Sequence, residues 1–181
     1  MKQKMLNGKN VNLRLVEEGD LPLLARWRND PENWRWFFNK APIRLAAQRR
    51  WYEDLLSNKS KMLFAICKLS GQLIGTIGVD HIDFINQNAE FGNMLIGRAE
   101  SQRKGFAGEA AGLLIDFCFN HLNLHRLYLY AYEDHAGAIR LYEQCGFKSE
   151  GVLRDAQFSE GRFRNVVLMS LLRKEPSKRQ G

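Results

Sequence analysis

The segment SQRKGFAGEAAG, residues 101–112, decides the fold because it separates two patterns of apolar residues. Residues 89–96 before it have the composition of a β-strand, whereas apolar residues after it recur at helical spacing through residues 107–122. The segment therefore begins a helix and is not a flexible linker. Amides at a helix start have no acceptor within the helix, and the helix dipole is positive there. This pattern predicts either an anion-binding loop or an ordinary capped helix start.

Two familiar phosphate motifs are absent from this segment. A Walker loop requires a lysine after its glycine, whereas Lys104 precedes Gly105. A dinucleotide fingerprint requires three glycines, and here only Gly105 and Gly108 stand at suitable positions. Gly105 lets the chain turn, and the small Ala107 and Gly108 leave the amides open to an anion.

The rest of the chain predicts an α/β (α+β) fold with a mixed, twisted sheet of about seven strands and helices on both faces. Asp20 and Pro22 favour a helix start, and Gly146 a left-handed helix end, followed by Phe147 as an apolar contact. The unit 89–132 predicts a right-handed parallel crossover. The predicted strands are residues 11–15, 63–69, 73–82, 89–96, 126–132, 148–158 and 163–172, and the later helices are residues 44–56, 107–122 and 136–145.

Composition limits the classes of partner and location. The 181 residues carry a net charge of +7, which permits an anionic partner, but the basic residues are spread and form no nucleic-acid recognition motif. We expect one domain over residues 1–173, a basic tail at 174–181, free cysteines, and neither a membrane segment nor a signal peptide, hence a cytoplasmic protein. No His, Cys and Asp cluster has metal-ligand spacing, so we expect no metal.

Three segments resemble the GNAT acetyltransferase family. The loop QRKGFA, residues 102–107, resembles the family's acyl-CoA loop Q/R-x-x-G-x-G/A, and AIRLYEQCGF, residues 138–147, is similar to A-x-x-L-Y-E-x-x-G-F. EGVLR at 150–154 and GRF at 161–163 resemble the RimJ/RimL-type branch, which includes spermidine acetyltransferases. The resemblance covers nearly the whole chain and implies the GNAT fold. It also implies acetyl transfer from acetyl-CoA to a primary amine by direct attack in a ternary complex.

The resemblance further implies which residues bind acetyl-CoA. In this family the loop amides hold the pyrophosphate, and the preceding strand binds the pantetheine arm. His135 stands where relatives often have Asn, so it binds CoA, acts as a base or only caps its helix. The implied cofactor-binding residues are Met94, Leu95, Ile96, Gln102, Arg103, Lys104, Gly105, Phe106, Ala107, Gly108, His135 and Ala138.

The catalytic candidates are Tyr142 and Glu90. The resemblance places Tyr142 near the CoA sulfur, where a phenol with a pKa of about 10 can donate a proton. The alternative is a core tyrosine whose hydroxyl merely finds a partner. Glu90 is the best candidate for the base that takes the amine proton, although it equally fits a structural ion pair, and His81 is a weaker candidate.

The acceptor is predicted less directly. Aromatic residues cluster at 34–38, and RWRNDPENWRWFF with QRRWYEDLL resembles a GNAT subgroup that acetylates the 4-amino group of nucleotide-linked deoxyamino sugars. We therefore expect a small-molecule amine as partner, with a polyamine or a ribosomal-protein N-terminus as alternatives. A hydrophobic lid, a homodimer contact and a non-catalytic acyl-CoA-binding module stay open. The expected acceptor-binding residues are Arg28, Trp34, Trp36, Phe37 and His81.

Overall fold

The computed structural model describes residues 5–173, and the predicted basic tail at 174–181 lies outside them. Within the described range, no helix is long and apolar enough to span a membrane. The strands are β1 (Leu6–Asn7), β2 (Val11–Leu15), β3 (Met62–Lys68), β4 (Leu73–Asp83), β5 (Asn88–Ile96), β6 (Arg126–Tyr132), β7 (Lys148–Ser159) and β8 (Arg162–Leu172). The helices are α1 (Leu21–Asn29), α2 (Pro31–Trp34), α3 (Leu45–Ser57), α4 (Phe106–Asn120) and α5 (Ala136–Gln144).

The strands form one mixed sheet in the order β1-β2-β3-β4-β5-β6-β8-β7, with β5 and β6 as the parallel pair. Alternate residues of β3 enter two apolar clusters: Phe64 packs in the cluster that includes α4 and α5, and Ala65 in the cluster that includes α1. The predicted fold class, with helices on both faces, is confirmed. The two-residue strand β1 is additional to the predicted seven.

Strands β5 and β6 separate partway along their length. They pair only from Asn88 to Glu90, so the later part of β5 has an edge that β6 does not cover. On the other side of β5, the register with β4 shifts around Asn93, whose φ is 52°. Thr76 Oγ1 donates to the Asn93 carbonyl at 3.0 Å, and Asn93 Nδ2 donates to Asp80 Oδ2 at 2.7 Å. These bonds hold the irregular backbone beside the opening in the sheet.

The structure confirms one of two predicted helix caps and not the other. Gly146 has a φ of 98°, and Phe147 behind it is buried, as expected of a left-handed cap. Asp20 stands at the N-cap of α1, but its side chain makes no capping bond to α1; its Oδ2 accepts from the Glu17 amide at 2.9 Å, at the start of the short 3-10 turn before that helix. Its carboxylate also accepts from Arg14 Nη1 and Nη2 at 2.6 and 2.8 Å. Since Arg14 is buried, its need for a counter-charge outweighs the helix cap.

Candidate active site

A cavity of about 710 Å³ lies where β5 and β6 separate. It is bounded by α1, the aromatic segment at 34–38, β5, the loop before α4, β6 and α5. It brings together residues that are far apart in sequence, as the GNAT resemblance implied. The predicted site residues that line it are Arg28, Trp36, Phe37, Glu90, Met94, Leu95, Ile96, Gln102, Arg103, Ala107, His135, Ala138 and Tyr142.

Other predicted site residues do not line this cavity. The Trp34 indole donates from Nε1 to the Lys40 carbonyl at 3.1 Å, and Lys40 Nζ lies 5.1 Å from its ring centroid. His81 lines a second cavity of about 500 Å³ on the other side of Arg28 and Phe37, which line both. The remaining four, Lys104, Gly105, Phe106 and Gly108, are neighbours of Arg103 and Ala107 in the loop and the first turn of α4.

The loop before α4 has the geometry of an anion cradle. Gly105 has a φ of 80°, which turns the chain into the helix. From Arg103 through Gly108, no backbone amide donates to an acceptor within residues 5–173. Gln102 Nε2 donates to the Ile96 carbonyl at 3.0 Å and ties the loop to the end of β5. Consecutive free amides at a positive helix end fit a pyrophosphate group.

The uncovered edge of β5 fits the extended arm of CoA. Met94, Leu95 and Ile96 line the cavity on this strand beyond the last pair with β6. An extended ligand with amide groups binds such an edge through backbone hydrogen bonds, as an added strand does. The residues present therefore fit both the phosphate end and the arm of acetyl-CoA.

Tyr142 is buried, yet its side chain lines the cavity. Its ring packs edge-on against Phe91 and Phe147, with centroids 6.4 and 5.9 Å apart. No residue in the described range accepts or donates a hydrogen bond at its hydroxyl, and burial raises the pKa of Tyr142 to about 12. The phenol is therefore protonated and available as a donor at neutral pH.

His135 caps α5. Its Nδ1 accepts from the Ala138 amide at 3.3 Å, and its ring lies 3.9 Å from the Trp36 ring, tilted by 32°. Burial lowers the pKa of His135 below its ordinary value. A neutral imidazole whose Nδ1 already accepts has no free lone pair there, so the geometry favours capping among the three predicted roles.

Glu90 and His81 form a pair, with Glu90 Oε2 and His81 Nδ1 3.0 Å apart. Glu90 is 31% exposed on the cavity side, whereas His81 is 73% exposed. Asp80 stands opposite Glu90 on β4 and also lines the cavity. Asp80 was not among the predicted site residues. Regular pairing from a turn at residues 84–87 places His81 opposite Glu90, and only the register shift between Asp80 and Asp83, where His81 has a φ of 52°, brings Asp80 there.

Glu32 is another carboxylate of the cavity wall. It lies on α2, the short helix that begins at Pro31 directly after α1, where the sequence analysis expected only a helix end. Asp30 caps α2, since its side chain accepts from the Glu32 amide at 3.0 Å. The sequence Asp30-Pro31 is itself a helix-start signal, and it could have located this turn.

The aromatic segment at 34–38 is held by contacts with β6, with β8 and with the turn between β7 and β8. Phe38 packs on Tyr132 at 5.0 Å, Trp36 lies 5.2 Å from the Arg164 guanidinium, and Arg35 Nε pairs with Glu160 Oε1 at 3.4 Å. Arg164 is buried and forms an ion pair with Asp134. These contacts hold the segment in the wall of the cavity.

No group of three or more His, Cys, Asp or Glu residues in the described chain has a geometry that would hold a metal ion. The expectation of a metal-free site stays a prediction. The three cysteines, Cys67, Cys118 and Cys145, form no disulfide bond, as expected.

Known proteins similar to this chain point to one family. Residues 10–148 match the family model described as an acetyltransferase (GNAT) domain. The chain is 30% identical to spermidine N(1)-acetyltransferase of Vibrio cholerae, over 90% of this chain and 92% of that protein. It is 28% identical to the putative ribosomal N-acetyltransferase YdaF of Bacillus subtilis, over 92% and 93% of the two chains.

Solved structures agree with these matches. A spermidine N-acetyltransferase from Vibrio cholerae in complex with CoA and spermine superposes with a TM-score of 0.88 and 29% identity, over 93% of this chain and 98% of that one. A dodecameric structure of spermidine N-acetyltransferase from the same organism gives a TM-score of 0.82 and 28% identity, over 96% and 100%. Together with the cavity, the cradle and the family match, these likenesses show that the chain belongs to the GNAT acetyltransferase family and is an acetyl-CoA-dependent N-acetyltransferase.

Proposed function

We propose that this enzyme acetylates the primary amine of a small molecule by direct attack in a ternary complex. One observation carries the proposal: a single cavity is lined by the β5 edge, by Tyr142, and by the carboxylates of Glu90 and Asp80. A donor on the strand and an amine at the carboxylates would therefore meet without an intermediate carrier on the protein.

In this proposal, acetyl-CoA supplies the acetyl group as a thioester. The amides of the loop, together with Arg103, bind its phosphates, and the edge of β5 holds its arm in line with the cavity. Gly105 shapes the cradle through its left-handed backbone. Lys104 adds positive charge beside it, and His135 and Ala138 form the α5 side of the same wall.

Two side chains of the protein, Glu90 and Tyr142, carry out the proposed proton transfers. The amine must lose a proton to become nucleophilic, and Glu90 is the proposed acceptor, with His81 at 3.0 Å to pass the proton to solvent. As nitrogen bonds to the acetyl carbon and the carbon–sulfur bond breaks, Tyr142 donates its phenolic proton to the departing sulfur. Its raised pKa keeps that proton in place until then. The second proton of the nitrogen, released as the amide forms, returns to the Tyr142 phenolate through water of the cavity.

The first proposed acceptor is an amino sugar carried on a nucleotide, and Arg28, Trp36 and Phe37 line the part of the cavity it would occupy. A polyamine is the second candidate. Three carboxylates, Glu32, Asp80 and Glu90, line the same cavity, and a relative is named for spermidine. Carboxylates attract a protonated amine in either case, so they support an amine acceptor without separating the two.

An acceptor screen with labelled acetyl-CoA tests the proposal. Polyamines, nucleotide-linked amino sugars and amino-terminal peptides are each incubated with the enzyme, and labelled products are identified by mass spectrometry. We expect transfer to at least one small-molecule amine and none to the peptides. Transfer to peptides alone would favour acetylation of a protein N-terminus, and no transfer at all, with intact acetyl-CoA binding, would indicate a non-catalytic binder.

We also propose that the chain self-associates through β7 and β8, with a homodimer as the smallest assembly. Strand β7 is the edge of the sheet, and the exposed apolar residues Val152, Leu153, Phe158 and Phe163 lie on these two strands. The relative from Vibrio cholerae with a dodecameric structure supports assembly in this family. Light scattering should give more than one chain per particle, and a monomer at assay concentration would contradict this. A cytoplasmic location stays a prediction.

A further inference from the structure

We propose that Arg28 binds an anionic group on the acceptor, so that the enzyme prefers amines that also carry a carboxylate or a phosphate. This inference rests on the proposed function and narrows its acceptor. It distinguishes the enzyme from one that acts on polyamines, whose charged groups are all cations.

Arg28 occupies the wall between two cavities. It lies near the end of α1 and lines both the 710 Å³ cavity and the 500 Å³ cavity. Its guanidinium carbon is 3.8 Å from the centroid of the Phe37 ring, which fixes the plane of the group. Phe37 lines both cavities as well, so the guanidinium is held at the junction of the two spaces.

The guanidinium has no counter-charge within residues 5–173. No Asp or Glu oxygen in that range lies within 4.0 Å of it, and it makes no hydrogen bond to the described chain. Burial without an anion lowers the pKa of Arg28. Arg14 is the contrasting case, because the two bonds from Asp20 raise its pKa. An unpaired, half-buried guanidinium gains from any anion that enters the cavity, and its fork matches a carboxylate or a phosphate.

None of the three carboxylates that line the cavity, Glu32, Asp80 and Glu90, lies within 4.0 Å of the Arg28 guanidinium. Asp80 accepts from Asn93 Nδ2 at 2.7 Å, and Glu90 pairs with His81. The cavity therefore presents carboxylates and also, more than 4.0 Å from their oxygens, the Arg28 cation, which has no anion beside it within residues 5–173. An acceptor with an amine and an anion complements both. A second ammonium group near Arg28 would meet like charge, which is costly where water is partly excluded.

The test compares matched pairs of acceptors by kcat/KM. β-Alanine against propylamine adds a carboxylate to a short amine, and glucosamine phosphate against glucosamine adds a phosphate to an amino sugar. We expect the wild-type enzyme to favour the anionic member of at least one pair by roughly 10- to 100-fold, the range of one charge-assisted contact. A preference in only one pair identifies the anion as carboxylate or phosphate.

Variants on the same helix assign the preference to one side chain. Arg28→Gln should bring the ratio within a pair close to one, Arg28→Lys should retain part of it, and Arg26→Gln should leave it intact, because Arg26 is exposed on α1 and lines neither cavity. All three variants should bind acetyl-CoA with wild-type affinity in calorimetry.

Equal use of both members of each pair, or an undiminished ratio in Arg28→Gln, would overturn the inference while leaving amine acetylation in place. Weaker acetyl-CoA binding by Arg28→Gln would also overturn it, because Arg28 would then bind the acetyl donor and not the acceptor. If the wild type acetylates none of these amines and no member of the wider screen, the proposed function fails and the inference fails with it.

Discussion

Replacing Tyr142 with phenylalanine removes one oxygen from the proposed acid and leaves the packing of its ring. Phe91 and Phe147 contact the ring and not the hydroxyl, and the hydroxyl makes no hydrogen bond in the described chain. The change should therefore alter the free energy of unfolding by less than about 1 kcal/mol. Acetyl-CoA binding should also be preserved, because the cradle and the β5 edge are untouched.

The expected loss of turnover is about 100-fold, or about 3 kcal/mol in the activation barrier. A positioned acid contributes roughly 100- to 10,000-fold in general. We expect the lower end here, because a cavity of 710 Å³ admits water, which can donate to the departing sulfur in place of the phenol. Steady-state kinetics, calorimetry with acetyl-CoA and thermal unfolding measure the three quantities.

The pH dependence gives an independent check. A pKa of about 12 means that Tyr142 keeps its proton throughout the usual assay range, so its ionisation should cause no fall in wild-type turnover below about pH 10. Tyr52→Phe is the matched control, since Tyr52 lies outside both cavities and its hydroxyl donates to the Val16 carbonyl. Unchanged turnover in Tyr142→Phe would refute the assignment, and so would an equal loss in Tyr52→Phe.

Three further perturbations test the cradle, the core and the charge pairs. Gly105→Ala should weaken acetyl-CoA binding by roughly 5- to 10-fold in calorimetry, because a left-handed backbone costs an alanine about 1 kcal/mol. Asp20→Asn should lower the free energy of unfolding by about 3 kcal/mol in urea, since Arg14 stays buried without its counter-charge. The Arg126 guanidinium and the Ser170 hydroxyl hold the pKa of Glu150 at about 2. This contact should therefore stabilise the fold above pH 4.5 and lose its effect as the pH falls towards 2. In urea titrations at acid pH, Arg126→Gln should lose less stability between pH 4.5 and 2 than the wild type does.

Each of these predictions has a control and a contrary result. Gly71 also has a left-handed backbone, with a φ of 87°, but lines neither cavity, so Gly71→Ala carries a similar backbone cost and should bind acetyl-CoA normally. Glu18→Gln removes an exposed partner of Arg49 and should leave stability almost unchanged. If Gly105→Ala and its control weaken acetyl-CoA binding equally, the cradle is contradicted. If Asp20→Asn and Glu18→Gln lower the free energy of unfolding equally, the role of the buried pair is contradicted. An Arg126→Gln variant with the wild-type acid profile would contradict the role of Glu150.

The order of elements and the position of the loop before α4 could be predicted from the sequence because their signals are local. Periodicity placed α4 after the loop, and Gly146 ended α5 as expected. The cap assigned to Asp20 was wrong because a side chain distant in space, Arg14, competes for the same carboxylate. Local patterns cannot report such a competition, since it depends on which strand lies beside the helix.

The acceptor side of the cavity was predicted less completely. Residues Arg28, Trp36 and Phe37 line it, whereas the Trp34 ring lies against Lys40. Consecutive aromatic residues in an irregular segment point in different directions, and only the tertiary contacts decide which ring faces the cavity. Asp80 was missed for a related reason, because its place in the cavity wall depends on the register shift between β4 and β5.

Release of the free CoA thiol tests the central claim most directly. The purified enzyme is mixed with acetyl-CoA alone, with each amine of the screen alone, and with both together, and thiol formation is followed over time. The account predicts rapid release only when acetyl-CoA and an acceptor amine are both present, matched by an equal amount of acetylated amine. Thiol release at the same rate with and without an amine would contradict it. Binding of acetyl-CoA with no thiol release under any of these conditions would contradict it too.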